Sequence, residues 1–182
     1  MSFCEKQMRD VLIVVDMQKD FIDGALGTAE AVAIVPAVVE KVQRFQGDII
    51  FTRDTHFENY METQEGRNLP VPHCIRGSEG WQICKELLPF AEDKPVIDKV
   101  TFGSMELGPV LQQMHEEDEI SSITFVGLCT DICVISNVMI AKAFLPEVPI
   151  IVDAACCAGV TSDSHNTALA SMRTCQVQVI ND

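Results

Sequence analysis

The stretch GLCTDICV, Gly127 to Val134, carries two cysteines four positions apart, directly after the apolar run Ser122–Val126. It can be a dithiol redox pair, half of a metal site, buried core or the position of a nucleophile, and what the fold brings beside it decides. If a strand ends near Gly127 and a helix starts near Cys133, the helix dipole and a nearby ammonium group favour a Cys133 thiolate. The backbone N–H groups of Cys129 and Cys133 can then hold a developing oxyanion. Asp16, closing VLIVVD, can accept the thiol proton and return it to a leaving amine. Lys99, in VIDKVTF, supplies the ammonium. Each residue also has a plainer role: a cysteine in an apolar run as small core, an aspartate after a strand as a cap, a lysine as a solvated charge.

A second group follows in the chain: Asp54-Thr55-His56, then Glu65, then His73. Asp-x-His sets two ligands on one side of an extended segment, and a distant histidine closes a facial set of three. One carboxylate with two imidazoles suits Zn²⁺ first, with Fe²⁺ or Mn²⁺ as alternatives, and leaves positions for water or substrate. Glu65 adds a fourth ligand, directly or through water. The other histidines read differently: His115 in HEEDE as a solvated face, His165 near a helix start as structural. Cys156 and Cys157 read as core at a strand end, and Cys4, Cys74, Cys84 and Cys175 belong to no motif.

These groups need elements to position them. Short β-branched runs at Val11–Val15, Ile49–Thr52, Val96–Asp98, Ile123–Gly127, Ile150–Val152 and Val177–Ile180 read as strands. Between them Val32–Phe45, Leu107–Glu117, Cys133–Phe144 and Ser164–Arg173 show helical spacing, with Ser162 and Ser164 as caps of the last. Strands alternating with helices predict a three-layer α/β/α sandwich on a six-stranded, mainly parallel sheet. The long segment from Arg53 to Lys94 breaks the alternation, with one short helix expected near Gln82–Leu88, and long loops in compact domains usually carry function. In such sheets ligands bind beyond the carboxyl ends of the strands, where Asp16, Asp54, His56, Lys99 and Cys133 all fall. No dinucleotide-binding glycine pattern and no G-x-S-x-G elbow is present.

Composition narrows the partners. The 182 residues read as a single domain over 1–182. The net charge of −14, without a Lys/Arg cluster, argues against nucleic acid and for a neutral small molecule. No apolar run approaches the roughly 20 residues that span a bilayer, and the opening MSFCEKQMRD lacks an apolar export segment. The eight cysteines are therefore expected as reduced thiols in a cytoplasmic protein.

Together VDMQKDF, TRDTH, LPVPHC, DKVTFGS and GLCTDICV resemble the isochorismatase-like cysteine hydrolases, the nicotinamidases most closely, over roughly residues 10–180. The resemblance implies a catalytic triad of Asp16, Lys99 and Cys133, metal ligands Asp54, His56 and His73 with Glu65 as a fourth, and a cis peptide bond between Leu128 and Cys129. It implies the matching sandwich fold, assembly as dimers or larger oligomers, and a neutral amide substrate, nicotinamide first. Phe21 matches one aromatic wall of the family's substrate pocket. The second wall, before the second histidine, is missing from Asn68-Leu69-Pro70-Val71-Pro72, which leaves Leu69 there and Trp81 as a substitute. Another small amide or N-carbamoyl compound is the alternative substrate, and a non-catalytic dithiol or binding protein the remoter reading.

Overall fold

Val11–Val15 lie wholly out of solvent, because the strand they form has neighbours on both edges and layers on both faces. The computed structural model describes residues 8–182, so Cys4 and the rest of the opening segment lie outside the described residues. Strands β1 (Arg9–Val15), β2 (Asp48–Asp54), β3 (Val96–Lys99), β4 (Ile120–Leu128), β5 (Ile150–Ala158) and β6 (Gln178–Ile180) form one sheet in the order β3-β2-β1-β4-β5-β6. Every pairing is parallel, as the apolar strands predict.

The pleat of β1 divides the core into two layers. Val11, Ile13 and Val15 pack with residues of α5 (Leu107–Glu117), α6 (Ile135–Phe144) and α7 (Ser162–Thr174). Leu12 and Val14 face α2 (Ala29–Arg44) and the segment that includes Ile83, Cys84 and Leu87. The three-layer sandwich expected from the sequence is what forms.

Several local expectations change. α2 starts at Ala29, since the Thr28 hydroxyl accepts the Ala31 N–H and caps it. Thr161, and neither Ser162 nor Ser164, is the N-cap of α7; Ser164 returns the bond in a reciprocal capping pair. No helix spans Gln82–Leu88. The Cys84 N–H is drawn to the Met17 carbonyl, and only Leu88–Ala91 coils, as α4, after the short helices α1 (Lys19–Ile22) and α3 (Gln64–Asn68). β5 runs on to Ala158, so Cys156 and Cys157 lie within it.

β4 approaches β1 most closely at Gly127, which has φ +115° and whose added Cβ would fall 2.1 Å from the Val15 carbonyl oxygen. Only glycine fits there. The close approach lets the end of β4 sit beside Asp16, between strands whose connections run in opposite directions across the sheet, the usual ligand position in this architecture. Replacing Gly127 with alanine is expected to lower stability by about 2–4 kcal/mol, read as a reduced urea midpoint at unchanged m-value.

Candidate active site

Three strand ends converge on one buried ammonium group. Lys99, the last residue of β3, stands in register with Asp54, the last of β2. Its Nζ lies 2.7 Å from Asp16 Oδ2, 3.0 Å from Asp54 Oδ1 and 3.4 Å from Cys133 Sγ. All four residues are buried. Burial works against the lysine charge, but Asp16, Cys133 and Asp54 outweigh it and hold its pKa well above the ordinary range.

Asp16 follows β1 in a left-handed conformation, φ 49°. Its backbone N–H donates to the Thr52 carbonyl, and the Thr52 hydroxyl donates to Asp16 Oδ1 at 2.7 Å. Oδ2 lies against the ammonium and has no aligned hydrogen bond among the described residues. Burial raises the Asp16 pKa, against the pull of Lys99. Cys133 sits in a wide turn, Thr130–Val134, ahead of α6, with the Val134 N–H reaching back to the Cys129 carbonyl. Such wider-than-α turns gather at functional sites. The Leu128–Cys129 peptide bond is cis.

One expectation needs correction. Helix dipole and ammonium do not leave Cys133 a standing thiolate: burial pushes its thiol pKa well up, Lys99 opposes this, and Asp16 and Asp54 add to it. Cys133 therefore holds its proton, and a thiolate there needs a proton acceptor beside it.

The turn itself is tied down from outside. Asn137 holds it to the segment after β3, donating to the carbonyls of Cys133 and Phe102 and accepting from the Ser104 N–H. The Thr130 hydroxyl meets His165 Nδ1 at 2.8 Å, and the Asp131 carboxylate accepts the Val160 N–H. His165 is thus a tether of this turn, in keeping with a structural role, and burial lowers its pKa. His115 is no free surface group: its Nδ1 accepts the Ile120 N–H.

Asp54 joins this centre to a second one. Its other oxygen, Oδ2, lies 2.9 Å from His56 Nε2 and 3.6 Å from His73 Nε2, while Glu65 Oε1 lies 3.5 and 3.7 Å from the same two nitrogens. Ligand atoms of all four residues fall within 4.8 Å of one another. Parallel pairing of His56 with Ile75 brings the His73 segment alongside. Glu65 is carried by α3, capped by Thr63 and packed so closely on Tyr60 that a Cβ at Gly66 would fall 2.1 Å from the Tyr60 carbonyl oxygen.

These residues fit a divalent cation. His56 Nε2 is buried without an aligned hydrogen bond among the described residues, although two carboxylates surround it. His73 Nδ1 is engaged by the Val71 carbonyl at 2.8 Å, which fixes the tautomer that leaves Nε2 a free lone pair. Burial disfavours charge on His56, but Asp54 and Glu65 push its pKa up to about 9. Two carboxylates thus draw a positive charge to that point, which a metal supplies in place of a proton.

The supporting side chains carried no sequence signal of their own. Gln18, fully buried, accepts the Asp54 N–H and donates to the Asp54 and Trp81 carbonyls. Asp20 accepts the Cys74 N–H beside His73. Only their place in VDMQKDF, next to Asp16, hints at such work.

Cys133, Cys129 and the metal set open on a cavity of about 780 Å³, which Phe21 and Leu69 also line. Trp81 does not line it. Its indole N–H donates to the Thr55 hydroxyl, and the Arg53 guanidinium stacks on its ring at 3.7 Å, so it braces the loop behind the ligands. Its backbone carbonyl is held by Gln18.

With this geometry, the Isochorismatase domain family matches residues 10–181. This chain belongs to the isochorismatase family. A nicotinamidase/pyrazinamidase from Mycobacterium tuberculosis is 26% identical over 189 residues, spanning 93% of this chain and 97% of that protein. The crystal structure of pyrazinamidase of Pyrococcus horikoshii in complex with zinc superposes with a TM-score of 0.80 at 26% identity, over 96% of this chain and 99% of that one. The fold is shared with an N-carbamoylsarcosine amidase from Thermoplasma acidophilum, TM-score 0.74 at 24% identity, over 94% and 95% of the two chains. The chain is an enzyme, an isochorismatase-family hydrolase similar to nicotinamidases, and its four-residue cluster has the composition and spacing to hold a divalent metal.

Two outcomes follow from these contacts. Lys99→Met strands two buried carboxylates, and a stability loss of about 3–5 kcal/mol is expected in urea unfolding. Elemental analysis of the isochorismatase-family enzyme should find about one divalent ion per chain, with His56→Ala and His73→Ala each losing most of it. Trp81→Phe should keep the metal.

Proposed function

We propose that this single-domain enzyme hydrolyses a small neutral carboxamide through a thioester on Cys133, nicotinamide being the first substrate to test, with nicotinate and ammonia as products. The observation that carries the reading is the Lys99 ammonium in contact with both the Cys133 thiol and the Asp16 carboxylate, 3.4 and 2.7 Å away, with all three residues buried.

In this reading Asp16 takes the thiol proton. The transfer moves one negative charge from oxygen to sulfur beside the same ammonium, so the net charge of the pocket does not change and the buried thiolate is formed already paired. The sulfur attacks the carboxamide carbon, and the N–H groups of Cys129 and Cys133 donate to the oxyanion. As the C–N bond breaks, protonated Asp16 gives its proton to the departing amine. Water, deprotonated by Asp16, then attacks the thioester carbonyl; the C–S bond breaks, Asp16 returns the proton to the departing sulfur, and the acid is released. Asp54, His56, His73 and Glu65 would hold the metal, zinc being the choice their nitrogen and oxygen donors favour. When bound, it supplies a Lewis-acid position for a heteroaromatic ring nitrogen or a water molecule.

The rivals are less well supported. Among the described residues lining the cavity there is neither lysine nor arginine, so outside the metal set no side-chain cation pairs with the carboxylate of an N-carbamoyl amino acid. A dithiol role needs an accessible thiolate, yet burial pushes the Cys129 thiol up to about 12 and raises that of Cys133 as well. The free cysteines fit a cytoplasmic setting. Among the described residues, no helix is long and apolar enough to cross a membrane.

The test is ammonia release from nicotinamide. Asp16→Asn and Cys133→Ala should each lower turnover by roughly 10²–10⁴-fold while leaving circular dichroism intact; Asp16→Asn with full activity would exclude the mechanism. Only the carboxylate form of Asp16 can take the thiol proton, so the rate should fall with acidification through its pKa, which burial places above the ordinary 3.8. An acid limb centred below that value in the pH–rate profile would contradict the assignment.

A further inference from the structure

The reacting groups occupy one part of a cavity far larger than they need. Its volume of about 780 Å³ lies within the range of roughly 300–1,000 Å³ that accommodates drug-sized ligands, and a single-ring amide leaves much of it to water. Beyond the thiol and the metal ligands the walls are largely apolar, with Leu26, Ala31 and Ile132 among them. Leu69, Val100, Phe102 and Val160 also line the cavity, although they are 38%, 56%, 45% and 52% exposed. Apolar surface therefore continues from the inner walls to solvent, which marks a surface meant to be covered. The charge pattern adds a second restriction. Away from the metal set of Asp54, His56, Glu65 and His73, no charged side chain lines the cavity among the described residues, so a charged substituent along the Leu69, Phe102 and Val160 surface would lose water without gaining a partner.

We infer that the substrate of this cavity is an uncharged aromatic carboxamide that carries an apolar group of several carbons, directed from the ring toward the Leu69, Phe102 and Val160 surface. The inference rests on the amidase reading above and narrows it: nicotinamide fills the reacting end alone and is a minimal substrate. With the carboxamide at Cys133 and the ring nitrogen at the His56 and His73 side, position 5, the ring carbon meta to both, points away from the chemistry. An alkyl group there replaces water along the apolar wall and leaves the reacting atoms where they were. Each buried methylene is worth about fourfold in binding when fully covered.

The experiment compares kcat/KM for ammonia release from nicotinamide and its 5-methyl, 5-propyl and 5-phenyl derivatives, with wild-type enzyme and with Leu69→Trp. The wild type should gain roughly two- to fourfold per added methylene, so that the 5-propyl compound exceeds nicotinamide by about tenfold or more. Leu69→Trp, at an exposed position that tolerates bulk, narrows the mouth and should cut that advantage to less than about threefold. Val160→Phe provides a second narrowing variant with the same expected direction. Turnover of nicotinamide together with slower turnover of every 5-substituted compound overturns the inference but not the amidase reading, and points to a mouth covered by something else, such as a second copy of this chain. An advantage unaltered in both narrowing variants also overturns it. No ammonia from any of the four compounds sinks the amidase reading itself, and the inference with it.

Discussion

The ammonium of Lys99 is the interaction on which the site depends. Three groups that can carry negative charge, Asp16, Asp54 and Cys133, crowd around it out of solvent. Without the cation, burial would drive the carboxylates toward their neutral forms or push the elements apart. With it, charge can move among the three without leaving the pocket. Asp54 also makes the ammonium a link between two centres, since one of its oxygens faces Lys99 and the other faces the histidines. Charge at the metal cluster and at the thiol is therefore coupled through a single carboxylate.

That arrangement is inexpensive for this architecture. Parallel strands end on the same side of the sheet, so residues far apart in sequence arrive together without long excursions of the chain. Lys99 and Asp54 are adjacent because β3 and β2 pair in register to their last residues. Asp16 and the Cys133 turn meet because β1 and β4 are neighbours and Gly127 lets them approach. The histidines come from outside the sheet, and a separate lattice of backbone bonds holds them: His56 to the Cys74 carbonyl, Asp20 to the Cys74 N–H, Gln18 to Asp54.

Sequence reasoning reached the reactive groups because strand-end position and residue type together carry information that neither carries alone. Asp16, Asp54, Lys99 and Cys133 lie at or just beyond the strand ends where the sequence reading put them, with His56 two residues on. Glu65 and His73 come from the long segment between β2 and β3. That reading failed where function is performed by an amide or hydroxyl bonded to distant backbone. Gln18, Thr52 and Asn137 look like ordinary polar residues until the fold supplies their distant partners, 33 to 63 positions away. Trp81 was misplaced because an aromatic in a loop near a site can wall a cavity or brace a backbone with equal ease, and only coordinates distinguish the two. The thiolate expectation at Cys133 failed for a quantitative reason: helix dipole and lysine favour the anion, but complete burial beside two carboxylates outweighs them.

Trp81 is the sole tryptophan of the chain, and its surroundings make it an optical reporter. The indole is bonded to Thr55, next to the ligand His56, and lies under the Arg53 guanidinium beside Asp54. Its emission thus originates from a single place, just behind the metal ligands and outside the cavity. Shifts in intensity or wavelength register rearrangements of the backbone that carries those ligands, while a molecule entering the cavity has no direct contact with the fluorophore.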